Sequence, residues 1–551
     1  MFAGVQVFTI IIGFVRTKIL ALLLGPAGIG IYGVLNSTIN LTTWVSNLGI
    51  NISAVRDLSK SHEDNDLLNS SKISKVLRKF SFVLGLAGSL LLIIFSFKLS
   101  EYFFLNNDNY YLFIIISISV IFKQLSSADL SIIQGNRKLK DLAKANVIGN
   151  FIALIITLPI YYFYRIDAIG PSIVISSILI FVSSRYYSLN IKTVNVNLNI
   201  KEYKDVGFSM IRLGFVLSLS HLMVLLGSYF TRIYISNTGN LTDLGFYEAG
   251  FIIVNSYVAL IFNAMVTDYF PRLSATIDDN KTFFSIVNRQ TEIALLILSP
   301  MIGLFIFFNE FIVNIIYSSE FFPVVNMLYF LLLGTFFKLI TWIHGYVLIS
   351  KGESRIFFIN ELLINIYMII FINMGYYYYG LIGLGVGYLF SYIMASLQSV
   401  IIIFIKYKFK LKLNISILFI CLLTIVSLIY ILKVNFNTQI SYWISFLLVI
   451  LTSVFCFWKP IDWLDLSAQP KEVQDDPDMK YPSMFNSSVM GWQGHTLTSI
   501  WDDFKDDDQR YLLEYRGNDD YLGHKQLDKL KALPRGICYS QYYGAEVGSE
   551  F

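Results

Sequence analysis

Residues 18–59, KILALLLGPAGIGIYGVLNSTINLTTWVSNLGINISAVRDLS, join the end of one apolar run to a second run rich in Gly, Asn, Ser and Thr across a Gly25-Pro26 turn. A helix needs about 20 consecutive apolar residues to cross a bilayer, and the runs flanking this turn each supply roughly that number. A weaker copy of the stretch lies further along the chain. At an offset of about 215 residues, Gly30-Ile31-Tyr32 falls on Gly245-Phe246-Tyr247, Leu58-Ser59 on Leu273-Ser274, and Phe122-Lys123 on Phe337-Lys338. Two such matches would be chance in a chain so rich in Leu, Ile and Phe. Three at one offset, one of them carrying a lysine inside an apolar run, predict two similar halves.

Composition sets the class. Of the 551 residues 55% are hydrophobic and 15% charged, against roughly 25% charged in soluble domains, and the mean hydropathy is +0.61. The apolar runs are continuous rather than alternating, which excludes a transmembrane β-barrel. The expected fold is therefore an all-α polytopic membrane protein. Helices are predicted at roughly 2–24, 28–52, 79–98, 109–134, 142–163, 168–188, 208–235, 244–270, 287–308, 324–349, 355–375, 380–404, 413–433 and 440–458, about 14 spans by the length criterion. The first of these has no basic residue ahead of it and carries Arg16 and Lys18 within it, so it reads as a spanning helix and not as a cleaved signal. The expected division is a six-helix lobe over 1–190, a second over 205–405, a helix pair over 412–459 and a short soluble tail over 460–551.

Charge predicts the orientation. The loops after even-numbered helices hold clusters such as Lys72, Lys75, Arg78 and Lys79, then Arg137, Lys138, Lys140 and Lys144, and finally Lys406, Lys408, Lys410 and Lys412. Those after odd-numbered helices hold only Lys98, Arg165, Arg232 and Lys433. Short loops rich in Lys and Arg stay cytoplasmic, which puts both termini inside. The outer loops are too short for an external catalytic domain. From Pro460 onward the chain has 9 Lys+Arg against 17 Asp+Glu, net −8, a tail that anionic lipid would repel. The basic excess of the remainder serves orientation, so nucleic acid is not implied as a partner. Cys421, Cys456 and Cys538 are scattered and form no disulfide framework. His495, His524 and Cys538 lack metal-ligand spacing, so no metal is expected. There is no phosphate loop, nucleotide fingerprint or HExxH, and no cofactor is expected.

An ionisable side chain inside a spanning helix costs roughly 2.5–3.5 kcal/mol on insertion scales, so it faces a cavity or a partner. The candidates are Arg16 and Lys18 in helix 1, Lys123 and Asp129 in helix 4, Arg212, His221 and Arg232 in helix 7, Glu292 in helix 9, and Lys338 and His344 in helix 10. The excess is cationic, and helices 1, 4, 7 and 10 are the ones a twofold repeat would place in matching positions. A cationic cavity suits an anion such as a diphosphate, because Arg offers a bidentate fork and Lys a point charge. The substrate-binding candidates are Arg16, Lys18, Lys123, Arg232 and Lys338. Arg16, Lys18 and Arg232 also lie near enough to a helix end to snorkel, while Arg212 and Glu292 suit interfacial anchoring and the two histidines suit packing. Asp129, six residues from Lys123, is not on the same helix face. Asn36, Asn40 and Asn47 in helix 2 and Asn255 in helix 8 are candidates to hydrogen-bond sugar hydroxyls; helix–helix hydrogen bonding is the alternative.

The segment LLGPAGIGIYGVLNSTINLTTWVSNLGINISAVRDLSK resembles the opening of bacterial polysaccharide flippases of the Wzx type, in the multidrug/oligosaccharidyl-lipid/polysaccharide (MOP) exporter superfamily. The later LGFYEAGFIIVNSYVALIFNAMVTDYFPRLS and the inner loops IIQGNRK and LISKGESR fit the same pattern. The resemblance covers helices 1–12, reaches 13–14 by topology and leaves out the tail. It implies two pseudo-symmetric six-helix lobes rocking about a central cavity, and a non-enzymatic transporter of oligosaccharide repeat units on undecaprenyl diphosphate. It places the protein in the bacterial inner membrane, with the lipid-linked oligosaccharide, membrane lipids and the polymerase machinery of polysaccharide biosynthesis (O-antigen, capsule or exopolysaccharide) as partners. It also implies that basic residues of helix 1 and of the second lobe meet the diphosphate, Arg16 and Arg232 being the closest matches. Coupling to H+ or Na+ stays open. The rival readings are a cation-coupled drug antiporter of the same superfamily, for which Asp129 is the acidic candidate, a peptidoglycan-precursor flippase, and a membrane enzyme such as a membrane-embedded polysaccharide polymerase or an acyltransferase.

Overall fold

The computed structural model describes residues 2–458 apart from 195, 197 and 436–438; the expected tail over 460–551, with His495, His524 and Cys538, lies outside the described residues. Among the described residues every regular element is helical, and ten helical stretches are long and apolar enough to cross a membrane. Large apolar side chains such as Phe95, Phe151, Ile155 and Phe163 are exposed, as lipid-facing surfaces require.

Helix α1 (Phe2–Asn47) contains most of the stretch that opens the repeat. It breaks at Gly25, with φ 65° and ψ −175°. A glycine takes this φ without steric cost, and Pro26 is well placed as the first residue of the resumed helix because its missing N–H has no partner to lose there. The expected turn is thus one residue long. Gly380 (φ 56°, ψ −135°) divides α13 (Ser354–Tyr407) in the same manner, so the loop expected between the predicted helices 355–375 and 380–404 contracts to a single residue. Predicted helix 2 ends early: Leu48 and Gly49 adopt φ 52° and 72°, and a separate α2 (Ile50–Glu63) follows.

The first half continues with α3 (Leu67–Phe104), α4 (Tyr110–Gly135), α5 (Leu139–Tyr164) and α6 (Ile169–Leu189). Asp66 caps α3, accepting from the Asn69 N–H at 2.9 Å, and thereby satisfies one of the free donors of the first turn. The second half begins with α7 (Ile200–Thr238), which opens on an Asn199/Glu202 capping box, a reciprocal pair of side-chain caps. Next come α8 (Leu241–Ile252), a π-helical segment Ile253–Val258 and α9 (Ala259–Ser274). The remaining helices are α10 (Asn280–Phe307), the short α11 (Asn309–Ile316), α12 (Val324–Ser350), α13, α14 (Leu413–Asn435) and α15 (Gln439–Trp458). One large apolar core runs from α1 through α8 and α12 to α14. A smaller one joins α2, α3 and α4 around Ile50, Leu58, Val76 and Ile132.

Two close approaches tie the halves together. Between α1 and α8, a methyl group on Gly30 would run into the Leu241 carbonyl, and one on Gly245 into the Pro26 carbonyl. Both pairs are related by the 215-residue offset, so the contact is reciprocal, as about a local twofold axis. Gly33 lies against Glu248, its own counterpart at that offset. Roughly 28 Å further along the chain, at 1.5 Å per helical residue, Gly49 packs backbone to backbone on Gly214 of α7.

Candidate binding cavity

The second segment of α1 carries Tyr32, Asn36, Asn40, Thr43 and Asn47 at spacings of three and four, which puts them on one helix face. α4 contributes Lys123, Ser126, Ser127 and Leu130 in the same rhythm, and α6 contributes Ile173, Ser176, Ser177 and Ile180. With Arg16 from the first segment of α1, these residues enclose a cavity of about 510 Å³ with no carboxylate in its lining.

Its polar wall is ordered by hydrogen bonds. Lys123 Nζ donates to Asn40 Oδ1 at 2.5 Å. Asn47 Nδ2 donates to Gln124 Oε1 at 2.8 Å, and Gln124 Nε2 in turn donates to the Thr43 carbonyl at 3.1 Å and to Ser46 Oγ at 3.0 Å. Asn51 Nδ2 donates to Ser127 Oγ at 2.6 Å. The Arg16 guanidinium lies 5.6 Å from the centre of the Tyr32 ring, and its Nε is buried without a hydrogen-bond partner among the described residues. Two cations shielded from bulk water and facing no carboxylate attract an anion more strongly than they would in water. The amides and hydroxyls beside them suit sugar hydroxyls. Other polar side chains of this segment turn away: Thr38 hydrogen-bonds to Tyr229 at 3.0 Å, and Ser37 back-bonds to the Val34 carbonyl at 2.9 Å.

The second half repeats these contacts. The 215-residue offset carries Tyr32 onto Tyr247, and the Arg232 guanidinium lies over the Tyr247 ring, again at 5.6 Å. It carries Lys123 and Asn40 onto Lys338 and Asn255, and Lys338 Nζ donates to Asn255 Oδ1 at 3.5 Å. Asn255 sits in the π-helical segment, a distortion found often at functional sites. Arg232 differs from Arg16 in being neutralised: its Nε and Nη2 reach Glu248 Oε1 and Oε2 at 2.5 and 3.2 Å, and its Nη1 donates to the Ser228 carbonyl at 3.0 Å. The two side chains are 15% and 9% exposed.

The structure therefore brings Arg16, Lys123, Asn36, Asn40 and Asn47 together. Arg232, Lys338 and Asn255 stand apart from that cavity. Lys18 serves the protein itself. Its ammonium donates to the Asn314 carbonyl at 2.6 Å and to that of Tyr317, at the C-terminal end of α11, where backbone carbonyls lack helical partners. Asp129 pairs with Arg78 at 2.9 Å and Arg185 at 3.4 Å, not with Lys123. His344 is buried against Ser399 at 3.2 Å, and the His221 ring lies tilted against Trp44, 4.3 Å between centres. Sequence reasoning missed Tyr32, Gln124 and the α4 and α6 serines; their three-and-four spacing was the available signal. It also missed Glu248, a carboxylate within predicted helix 8.

Residues 19–326 match the sequence profile of a family described as "Polysaccharide biosynthesis protein". In fold, the chain resembles an inward-facing multidrug resistance MATE family transporter of the MOP superfamily, with a TM-score of 0.62 and 13% identity over 74% of this chain and 95% of that one. It equally resembles the lipid II flippase MurJ in an inward closed conformation, with a TM-score of 0.62 and 17% identity over 83% of this chain and 97% of that one. No curated protein matches the chain in sequence.

Proposed function

Because the chain belongs to the polysaccharide biosynthesis protein family and has the fold of MOP-superfamily membrane transporters, we propose that it is a flippase for lipid-linked oligosaccharides. It moves undecaprenyl-diphosphate-linked repeat units from the inner to the outer leaflet of the bacterial inner membrane by alternating access. The observation that carries this reading is the pairing of Arg16 and Lys123 in a cavity without a lining carboxylate, walled by Asn, Ser and Thr. The cations hold the diphosphate, and the amides and hydroxyls meet the first sugars. Lys338 and Arg232 belong to a second contact set that the cargo meets as it crosses.

In this reading residues 1–190 and 205–405 are the rocking lobes, with fourteen spans in all and both termini cytoplasmic. Helices α14 and α15 flank a groove for the lipid tail, and the acidic tail lies on the cytoplasmic side. Repeat-built transporters place their site between such halves; here the cavity is lined by the first half alone. Drug antiport by a cation-coupled cycle is the less favoured reading, because Asp129, its acidic candidate, is occupied by two arginines.

The test is made on cells lacking the protein, with the outer leaflet probed for lipid-linked oligosaccharide. Accumulation of the intermediate on the cytoplasmic side, relieved by the wild-type chain but not by Arg16→Ala or Lys123→Ala chains that insert normally, is the expected result. Normal delivery by both variants would sink the cavity assignment.

A further inference from the structure

Within the flippase reading, on which this inference rests, the Arg232–Glu248 pair has no role yet. It lies where the two contact sets diverge. Arg16 over Tyr32 and Arg232 over Tyr247 are the same arrangement at the same 5.6 Å, and a Lys–Asn hydrogen bond accompanies each. Glu248 is the exception, for its counterpart is Gly33.

Those two residues face one another on the local axis between α1 and α8. A methyl group on Gly33 would lie 2.5 Å from Glu248 Cγ, 2.6 Å from Cδ and 2.7 Å from Oε1. The glutamate side chain therefore fills the space that any side chain at position 33 would need, so only one half can carry a carboxylate there. The same side chain is clasped by both Nε and Nη2 of Arg232. It is thus held by the second half and enclosed by the first.

We propose that Glu248 is a resident stand-in for the cargo's phosphate: it occupies Arg232 while α1 and α8 are closed on each other, and a phosphate of the diphosphate replaces it when they part. The chemistry permits the exchange, because carboxylate and phosphate oxygens both accept the two parallel N–H bonds of a guanidinium. The geometry gives it a trigger. When α1 withdraws, Gly33 leaves Glu248, the carboxylate gains room and water, and a desolvated pair that was held by enclosure becomes exchangeable. Without an incoming anion, parting the pair would strand a buried charge. Cargo moving on from Arg16 and Lys123 supplies that anion, so the exchange follows loading of the cavity.

The test uses the full-length protein in detergent micelles and farnesyl diphosphate as the probe, titrated by calorimetry. Wild type binds with an affinity that falls in Arg16→Ala. Glu248→Gln, which keeps shape and removes the competing charge, binds about tenfold tighter, the gain of one newly available charge-assisted contact. The gain disappears in the Arg232→Ala/Glu248→Gln double variant. Glu248→Asp, too short to clasp both nitrogens, shows a smaller gain. Unchanged or weaker binding by Glu248→Gln, with Arg16→Ala still impaired, overturns the stand-in role and leaves the flippase reading intact. Wild-type binding indifferent to Arg16→Ala would instead remove the cavity reading, and this inference with it. If neither glutamate variant folds, the pair is a structural tie and the inference is wrong.

Discussion

The two halves of this chain hold one set of contacts in two electrostatic forms. In each, an arginine lies over a tyrosine and a lysine hydrogen-bonds to an asparagine, at positions related by the 215-residue offset or one residue from it. In the first half the cations share their cavity with Asn36, Thr43, Asn47 and Ser127. At the same offset the second half has Phe251, Val258, Phe262 and Trp342. It also has Glu248, where the first half has Gly33. The geometry is shared and the electrostatics differ: one set faces a polar cavity with no carboxylate in its lining, while in the other Arg232 is answered by Glu248 and the surroundings are aromatic. A buried cation that the protein neutralises contributes to structure; one that it leaves without a counterion is available to a ligand.

The largest difference this predicts is between Arg232→Ala and Arg16→Ala. Removing Arg232 strands Glu248 in a buried position and should cost about 3–5 kcal/mol of stability, seen as a marked fall in the melting temperature of the detergent-purified protein. Removing Arg16 breaks no ion pair among the described residues, so the melting temperature should hardly move while transport is lost. Equal losses of stability would break the comparison.

Next in size are the two glycine contacts between the halves. Gly30→Val obstructs the approach of α1 to α8, and Gly49→Val obstructs that of the α1–α2 junction to α7. Overpacking of this kind costs about 1–3 kcal/mol, enough to move a two-state equilibrium about 5- to 150-fold. Each variant should leave its own end of the cavity open. Modification of cysteines introduced at Asn36 and Ile52 by a membrane-impermeant thiol reagent, in a background without Cys421, Cys456 and Cys538, should therefore rise at opposite ends in the two variants. A rise at the same end in both would mean that the glycines are ordinary packing sites.

Much of this is legible in the amino-acid sequence. Apolar runs mark the helices because lipid tolerates little else, and the repeat is visible in Gly30/Gly245 and Lys123/Lys338. The Asn40/Asn255 match at the same offset is there to be read but is hidden among many helical asparagines. Charge state is harder. Arg16, Lys18, Lys123 and Arg232 look alike as cations in apolar runs. What separates them is the partner each finds: a carbonyl pair on α11 for Lys18, a carboxylate for Arg232, an amide for Lys123. Glu248 escapes a sequence reading because it lies near the predicted start of its helix, where a carboxylate is easily taken as solvated. Its partner lies sixteen residues back, across the α7–α8 junction. Pairing of that sort depends on how helices pack, which periodicity does not encode.

The smallest predicted difference sharpens the comparison most, because it sets one hydrogen bond against its repeat. Asn40 accepts from Lys123 at 2.5 Å inside the cavity, whereas Asn255 accepts from Lys338 at 3.5 Å from an exposed position. Hydrogen bonds weaken steeply with length and exposure, and one to a charged donor contributes about 1.5–3 kcal/mol at its best. Asn40→Ala should let the Lys123 ammonium swing from its position, lowering transport about fivefold with little change in melting temperature. Asn255→Ala should leave transport within twofold of wild type. If Asn255→Ala proves the more damaging, the second set is the one that grips the cargo, and the order in which the halves engage it must be reversed.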